Sequence, residues 1–178
     1  TIGATTATQA NLYFNPVIWS GNGTTNAITV GFAPDFAWVK SRSNPYDHDL
    51  SDIIRGNSKI LRSNTTGSES TYTDICVFGS NGVTLNNQSD ANVSGTTNVG
   101  WFWKGGGSGS TNTAGSITST VSANTTSGFS IVTYTGTGAN ATVGHGLGVA
   151  PKMVITKNRV ASVSWLVYHE SLGPTAYL

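Results

Sequence analysis

Charge is scarce in this chain. Asp, Glu, Lys and Arg make up 10% of its 178 residues, against roughly a quarter in an ordinary soluble domain, and the net charge is +1. With no basic stripe there is no electrostatic footprint for nucleic acid or for an anionic membrane. Cysteine is nearly missing too. Cys76 stands alone, which excludes an internal disulfide, and its setting Ile75-Cys76-Val77-Phe78 predicts a small buried residue. A reactive thiol wants a neighbouring base or cation, and the local sequence offers none. Long hydrophobic runs are absent: no stretch approaches the roughly 18 apolar residues of a membrane-spanning helix, so no membrane insertion is expected. Strong helix formers are thin, because Gly, Thr, Ser and Asn fill nearly half of the chain, and these residues favour turns and caps over helix interiors.

What is present is hydroxyl, amide and aromatic. Hydrophobic residues account for 37%, with five Trp, six Tyr and six Phe, a content that a disordered chain would not carry. Short apolar runs recur between turn-rich stretches, among them Asn11–Trp19, Thr29–Phe32, Phe36–Lys40, Ile75–Phe78, Val99–Lys104, Ser116–Val121, Phe129–Thr135, Met153–Lys157 and Val163–Tyr168. Each has the length and the flanking Gly, Pro, Asn or Ser of a β-strand. Many short strands at regular spacing predict an all-β fold, an antiparallel β-sandwich of jelly-roll or concanavalin-like type. Leu50–Gly56 is either a single helical turn capped by Asp52 or a strand ending at Gly56.

The chain also repeats itself. Phe14–Gly23 (FNPVIWSGNG) is echoed by Phe129–Gly138 (FSIVTYTGTG), an offset of 115. Ala33–Arg42 (APDFAWVKSR) is echoed by Ala150–Arg159 (APKMVITKNR), an offset of 117, which then pairs Gly56 with Gly173 and Leu61 with Leu178. So long a period means tandem domains, since solenoid units run to about 20–50 residues. We expect a first sandwich repeat over 1–104, a Gly/Ser/Thr linker over 105–115 and an incomplete second repeat over 116–178. A half-built sandwich exposes unpaired strand edges, so the C-terminal part is expected to pack in an oligomer or to belong to a longer chain.

Few residues point to chemistry. Gly144-His145-Gly146-Leu147-Gly148 looks like a phosphate loop but opens no helix, so it reads as a hairpin-type turn with His145 within it. Asp47, Asp49 and Asp52 are weak metal candidates by density alone, without the spacing of a calcium loop. The plainer reading is a solvated loop with Asp52 or Arg55 in a partly buried salt link. Asp35 and Glu69 are too isolated for a glycosidase pair, and no Gly-x-Ser-x-Gly elbow occurs. No enzyme and no cofactor is expected. In a strand, Trp101 and Trp103 share one face while Phe102 takes the other. Exposed, the two indoles would stack on sugar rings; buried, they are packing residues. Trp19 and Trp38, matched by Tyr134 and Ile155 in the echo, read as core.

The run Gly128–Gly136, then Val143–Gly148 and Ala150–Arg159, is distinctive, as are Asp52–Gly56, Leu61–Thr66 and Val99–Gly107. Together they resemble a repeat found in large virion-associated proteins of marine bacteriophages, cyanophages especially, of the tail-fibre or structural kind. The resemblance implies a non-enzymatic structural and adhesive module located in the virion, in tail or capsid. It implies partners among copies of itself (trimers are common in such fibres), other virion proteins and a host surface glycan, with no nucleic acid. Such repeats often adjoin lectin-like sandwiches, which gives a second reading as a carbohydrate-binding domain of a secreted or cell-surface adhesin. A polysaccharide-degrading tailspike is a third, and it lacks a carboxylate pair.

Overall fold

The computed structural model describes residues 10–173, and the chain is all-β. Among the described residues the only helical pieces are three-residue 3-10 turns at Ala10–Leu12, Asp90–Asn92 and Glu170–Leu172. In chain order the strands are β1 (Phe14–Ser20), β2 (Asn26–Thr29), β3 (Phe36–Ser41), β4 (His48–Asp52), β5 (Lys59–Arg62), β6 (Ser70–Thr71) and β7 (Cys76–Gly79). They continue as β8 (Gly82–Leu85), β9 (Thr97–Trp103), β10 (Ser110–Asn112), β11 (Ser119–Asn124), β12 (Phe129–Tyr134), β13 (Met153–Thr156) and β14 (Leu166–His169).

Strands β1 to β9, ending at Trp103, form a β-sandwich. One layer is a six-stranded sheet in the order β1-β9-β3-β4-β5-β6, and the other is a three-stranded sheet in the order β2-β8-β7. All pairings are antiparallel. The period of two along each strand decides what lies between the layers. In β9, Asn98, Gly100 and Phe102 point inward and are buried, while Val99, Trp101 and Trp103 point outward and are half-buried. Ala37 and Val39 of β3 meet Phe102 and Gly100 in register. Opposite them lie Ile28, Val83, Leu85 and Cys76. Phe102 is fully buried at the centre, a burial that stabilises by about 2–3 kcal/mol. Gly100 is required there: a Cβ would sit 2.6 Å from the Phe102 ring and 2.9 Å from Trp19.

The remainder holds a three-stranded sheet, β10-β11-β12, and a two-stranded hairpin, β13-β14. The expected linker 105–115 connects the two parts, but it is not free. Gly105 is buried, the Gly106 N–H donates to Ser122 Oγ at 2.8 Å, the Gly107 N–H donates to Asp35 Oδ2 at 3.2 Å, and Ser110–Asn112 pair with β11. The expected strand over Ser116–Val121 begins at Ser119 and stays within its own small sheet. Leu50–Gly56 resolves as a strand followed by a turn, with Gly56 at φ +88.

The sequence echo has a structural counterpart. The β3–β4 hairpin pairs Phe36 with Asp52 and Trp38 with Leu50. The β13–β14 hairpin pairs Met153 with His169 and Ile155 with Val167, the same register moved by 117. The Ile53 N–H donates to the Asp35 carbonyl at 2.9 Å and the Glu170 N–H donates to the Lys152 carbonyl at 2.9 Å. Lys40 Nζ bonds the carbonyls of Ser41 and Asn44, and Lys157 Nζ those of Asn158 and Ala161. Gly173 repeats the positive φ of Gly56, at +78. The expected Leu61–Leu178 match lies outside the described residues.

Candidate functional site

The outward face of the six-stranded sheet carries the aromatic residues singled out from sequence. Strand alternation puts Phe14, Pro16 and Ile18 of β1 beside Trp103, Trp101 and Val99 of β9, and these beside Phe36, Trp38 and Lys40 of β3. The two tryptophans, both weighed as sugar platforms, have different surroundings. The Trp103 ring lies 4.8 Å from Phe14, 5.5 Å from Phe36 and 5.8 Å from Phe129, the last nearly parallel at 20°. Three rings thus pack around Trp103, which stays half-buried. Trp101, likewise half-buried, has among the described residues one aromatic neighbour, Trp38, edge to face at 6.2 Å, and Pro16 beside it in register. Trp38, expected in the core, belongs to this outer face instead. Its indole N–H donates to His48 Nδ1 at 3.0 Å. Burial, and after it the Lys40 charge, hold His48 below the usual imidazole range, which keeps that nitrogen an acceptor. Trp19 is a core residue as expected, its N–H donating to the Ala91 carbonyl at 2.8 Å.

A second surface feature lies on the small sheet. Thr111, Thr118, Ser119, Thr120, Thr133, Tyr134, Thr135 and Arg159 line an open cleft of about 240 Å³. Its walls offer hydroxyl donors and acceptors, one exposed phenol ring and one guanidinium, groups that suit a polyhydroxylated ligand. Sequence reading missed this cleft because its residues come from three strands and a loop. Of the lining, Thr133-Tyr134-Thr135 lie within the expected strand Phe129–Thr135 and Thr118-Ser119-Thr120 within the expected strand Ser116–Val121.

The three acidic candidates do not form one cluster: Asp47 and Asp49 share Arg62, and Asp52 stands apart with Arg55. Asp49 and Asp52 sit on opposite faces of β4 by alternation. Asp47 and Asp49 face Arg62, whose Nε lies 3.2 and 3.4 Å from their carboxylates. Asp52 takes the Arg55 side chain as well as the N–H groups of Ile54 and Arg55, so the expected salt link between Asp52 and Arg55 is present. No group of three or more His, Cys, Asp or Glu side chains is placed to hold a metal among the described residues. Burial pushes the Asp49 carboxyl up to about 7, with Arg62 opposing and Asp90 and Asp47 adding to the rise. Burial prevails because the Arg62 Nε to Asp49 Oδ1 approach makes no hydrogen bond.

Glu69, set aside from sequence as isolated, is the polar joint between the two parts. Arg55 Nη1 lies 3.2 Å from Glu69 Oε2, and Arg159 reaches both Glu69 oxygens at 2.9 Å. Burial alone would raise this carboxyl, but the hydrogen bonds and charges of Arg159 and Arg55 hold it below the usual range. Nearby, the Trp165 indole donates to the carbonyls of Arg62 and Thr65 at 2.9 and 3.1 Å. Nothing in the local sequence marks Glu69; its partner Arg159 is 90 residues away.

The remaining candidates are structural. Cys76 is fully enclosed and burial pushes its thiol up to about 12. His145 sits in a turn, its ring accepting from the Leu147 N–H at 3.2 Å while its carbonyl accepts from the Ser130 hydroxyl. No helix among the described residues is long and apolar enough to cross a membrane.

No curated protein and no solved structure matches the chain. A family does: residues 9–178 match the domain of unknown function DUF7483, and the chain belongs to that family.

Proposed function

We propose that the chain is a non-enzymatic structural and adhesive module of a bacteriophage particle, built from copies in tandem and working in a tail fibre or a capsid-decorating fibre that contacts the host. The observation that carries this reading is the recurrence of the β3–β4 hairpin, register and lysine contacts included, in β13–β14. A hairpin that recurs along one chain, with the loop between its strands tied to the first part by the Arg159–Glu69 pair, lends itself to extension in series. Low charge and a hydroxyl-rich surface suit an extracellular rod. The resemblance to virion proteins supplies the particle. Other copies, other virion proteins and a host glycan are the proposed partners.

Quantitative mass spectrometry of purified particles tests this. Peptides of this chain at a fixed copy number per particle support the proposal. Absence from particles, with the protein free in the medium or on cells, moves the weight to an adhesin.

A carbohydrate-binding role is the second reading, and the cleft around Tyr134 favours it alongside the half-buried Trp101. A glycan array probed with the parent protein, Tyr134→Ala and Trp101→Ala separates the sites. Binding lost in one variant locates the platform, and an array with no hits removes the reading.

A further inference from the structure

The internal repeat identifies what one exposed strand edge lacks. In the first unit β3 sits between two neighbours, β4 on one side and β9 on the other. Its counterpart β13 has β14 on one side and, among the described residues, no strand on the other. The match on the occupied side is close enough to carry over the geometry of the empty one: register, lysine contacts and the Asp35/Lys152 carbonyl bonds all coincide at one offset. Exposure points the same way. Met153, Val154 and Ile155 are 53%, 40% and 46% exposed, whereas Ala37, the counterpart of Val154, is 1% exposed beneath its neighbours. Of the eleven large hydrophobic residues left exposed among the described residues, nine lie beyond residue 130.

Alternation fixes which backbone groups face that edge. The Glu170 N–H donates to the Lys152 carbonyl, so residues 152, 154 and 156 bond across to β14, and Met153 and Ile155 turn their N–H and C=O groups the other way. An unpaired edge of this kind is a template for an added strand.

We propose that the free edge of β13 is an acceptor site for an antiparallel strand of β9 chemistry supplied from outside the described residues. Carried over from the β3–β9 register, the added strand sets a Trp-like residue opposite Met153, a Phe-like residue opposite Val154, a second Trp opposite Ile155 and a glycine-sized residue opposite Thr156. The large rings then cover Met153 and Ile155 on one face, as Trp103 and Trp101 cover Phe36 and Trp38. The aromatic residue opposite Val154 occupies the face on which Phe102 lies in the first unit. The inference rests on the repeat and is independent of where the protein works.

The test is titration of the intact protein with a labelled synthetic peptide of residues 97–104 (TNVGWFWK), with a scrambled peptide as control. Saturable binding is expected, weaker by about tenfold or more for the scramble because pairing and pocket fit both depend on order. Hydrogen exchange should show the Met153 and Ile155 amides newly protected. Ile155→Pro removes one edge-facing N–H while leaving the bonds to β14, a position where proline is tolerated; it should keep the parent melting temperature and lose the peptide. Absence of saturable binding, protection appearing elsewhere, or unchanged binding by a folded Ile155→Pro overturns the proposal. So does edge protection without peptide accompanied by a doubled mass, which would assign the edge to a second copy. Should Ile155→Pro fail to fold, the exchange map of the parent protein decides alone.

Discussion

Phe129 stacks on Trp103 with ring centroids 5.8 Å apart and planes 20° from parallel. Phe14 touches the same indole at 4.8 Å. One tryptophan thus meets β1 of the sandwich and β12 of the small sheet, and its removal should be felt in both. Trp103→Ala is expected to cost about 3–4 kcal/mol, within the range for a large aromatic in a packed site. Trp101→Ala, with one aromatic neighbour, should cost about 1 kcal/mol or less beyond its lost area. Chemical denaturation of both variants checks the contrast, and equal losses would contradict it.

Asp49 makes stability fall as pH rises. Its carboxyl is raised from 3.8 to about 7 in the folded protein. Below about pH 4 both states hold the proton; between about 4 and 7 only the folded state does, so the unfolded state gains as protons leave. The stabilisation is complete at the acid end and gone above about pH 7, a change on the order of 4 kcal/mol. Asp49→Asn should flatten that slope in urea midpoints measured from pH 5 to 8. A parent slope unchanged in the variant would count against it.

Glu69 works in the opposite direction. Its carboxyl is held below the usual range by Arg159 and Arg55. Its contribution is therefore full above the unfolded carboxylate range and is lost as pH falls through the lowered folded value. Because Arg55 is 4% exposed and Glu69 10%, Glu69→Ala should cost about 3 kcal/mol by leaving a buried guanidinium short of a partner. Limited proteolysis should cut the 157–165 loop sooner in this variant, and in the parent at acid pH. An unchanged digestion pattern would show that the joint does not hold the hairpin.

Much of the fold was legible because short apolar runs bounded by Gly, Asn and Pro leave little choice but strands. Phe36–Lys40 and Val99–Lys104 became β3 and β9 almost residue for residue. β5, β6, β8 and β10 escaped notice because each is four residues or fewer, too short for a pattern of its own, and the expected run Thr29–Phe32 meets β2 only at Thr29. Alternation correctly set Trp101 and Trp103 on one face. It could not say that Phe129 would cover one of them, since that contact depends on how 105–115 is tied down by Asp35 and Ser122. Glu69 was overlooked for the same reason: a single carboxylate acquires meaning only when Arg55 and Arg159 arrive from either side. His48 and Trp38 were separable from the core only once β3 and β4 were seen to present them on the outer face.

Phe129→Ala should loosen the small sheet β10-β11-β12 while sparing the sandwich. A cost of about 2 kcal/mol is expected for a half-buried ring on an aromatic partner. The amides of β11 and β12 should exchange faster, with those of β9 and β3 unchanged. Uniform acceleration would mean that the two parts unfold as one unit.

The central claim is that the small sheet β10-β11-β12 is docked on the sandwich through the aromatic face, and a double-mutant cycle on Trp103 and Phe129 tests it most directly. The stack predicts that the two alanine substitutions are non-additive, with a coupling of about 1 kcal/mol. Strict additivity would contradict the docking and leave the two parts as independent neighbours on one chain.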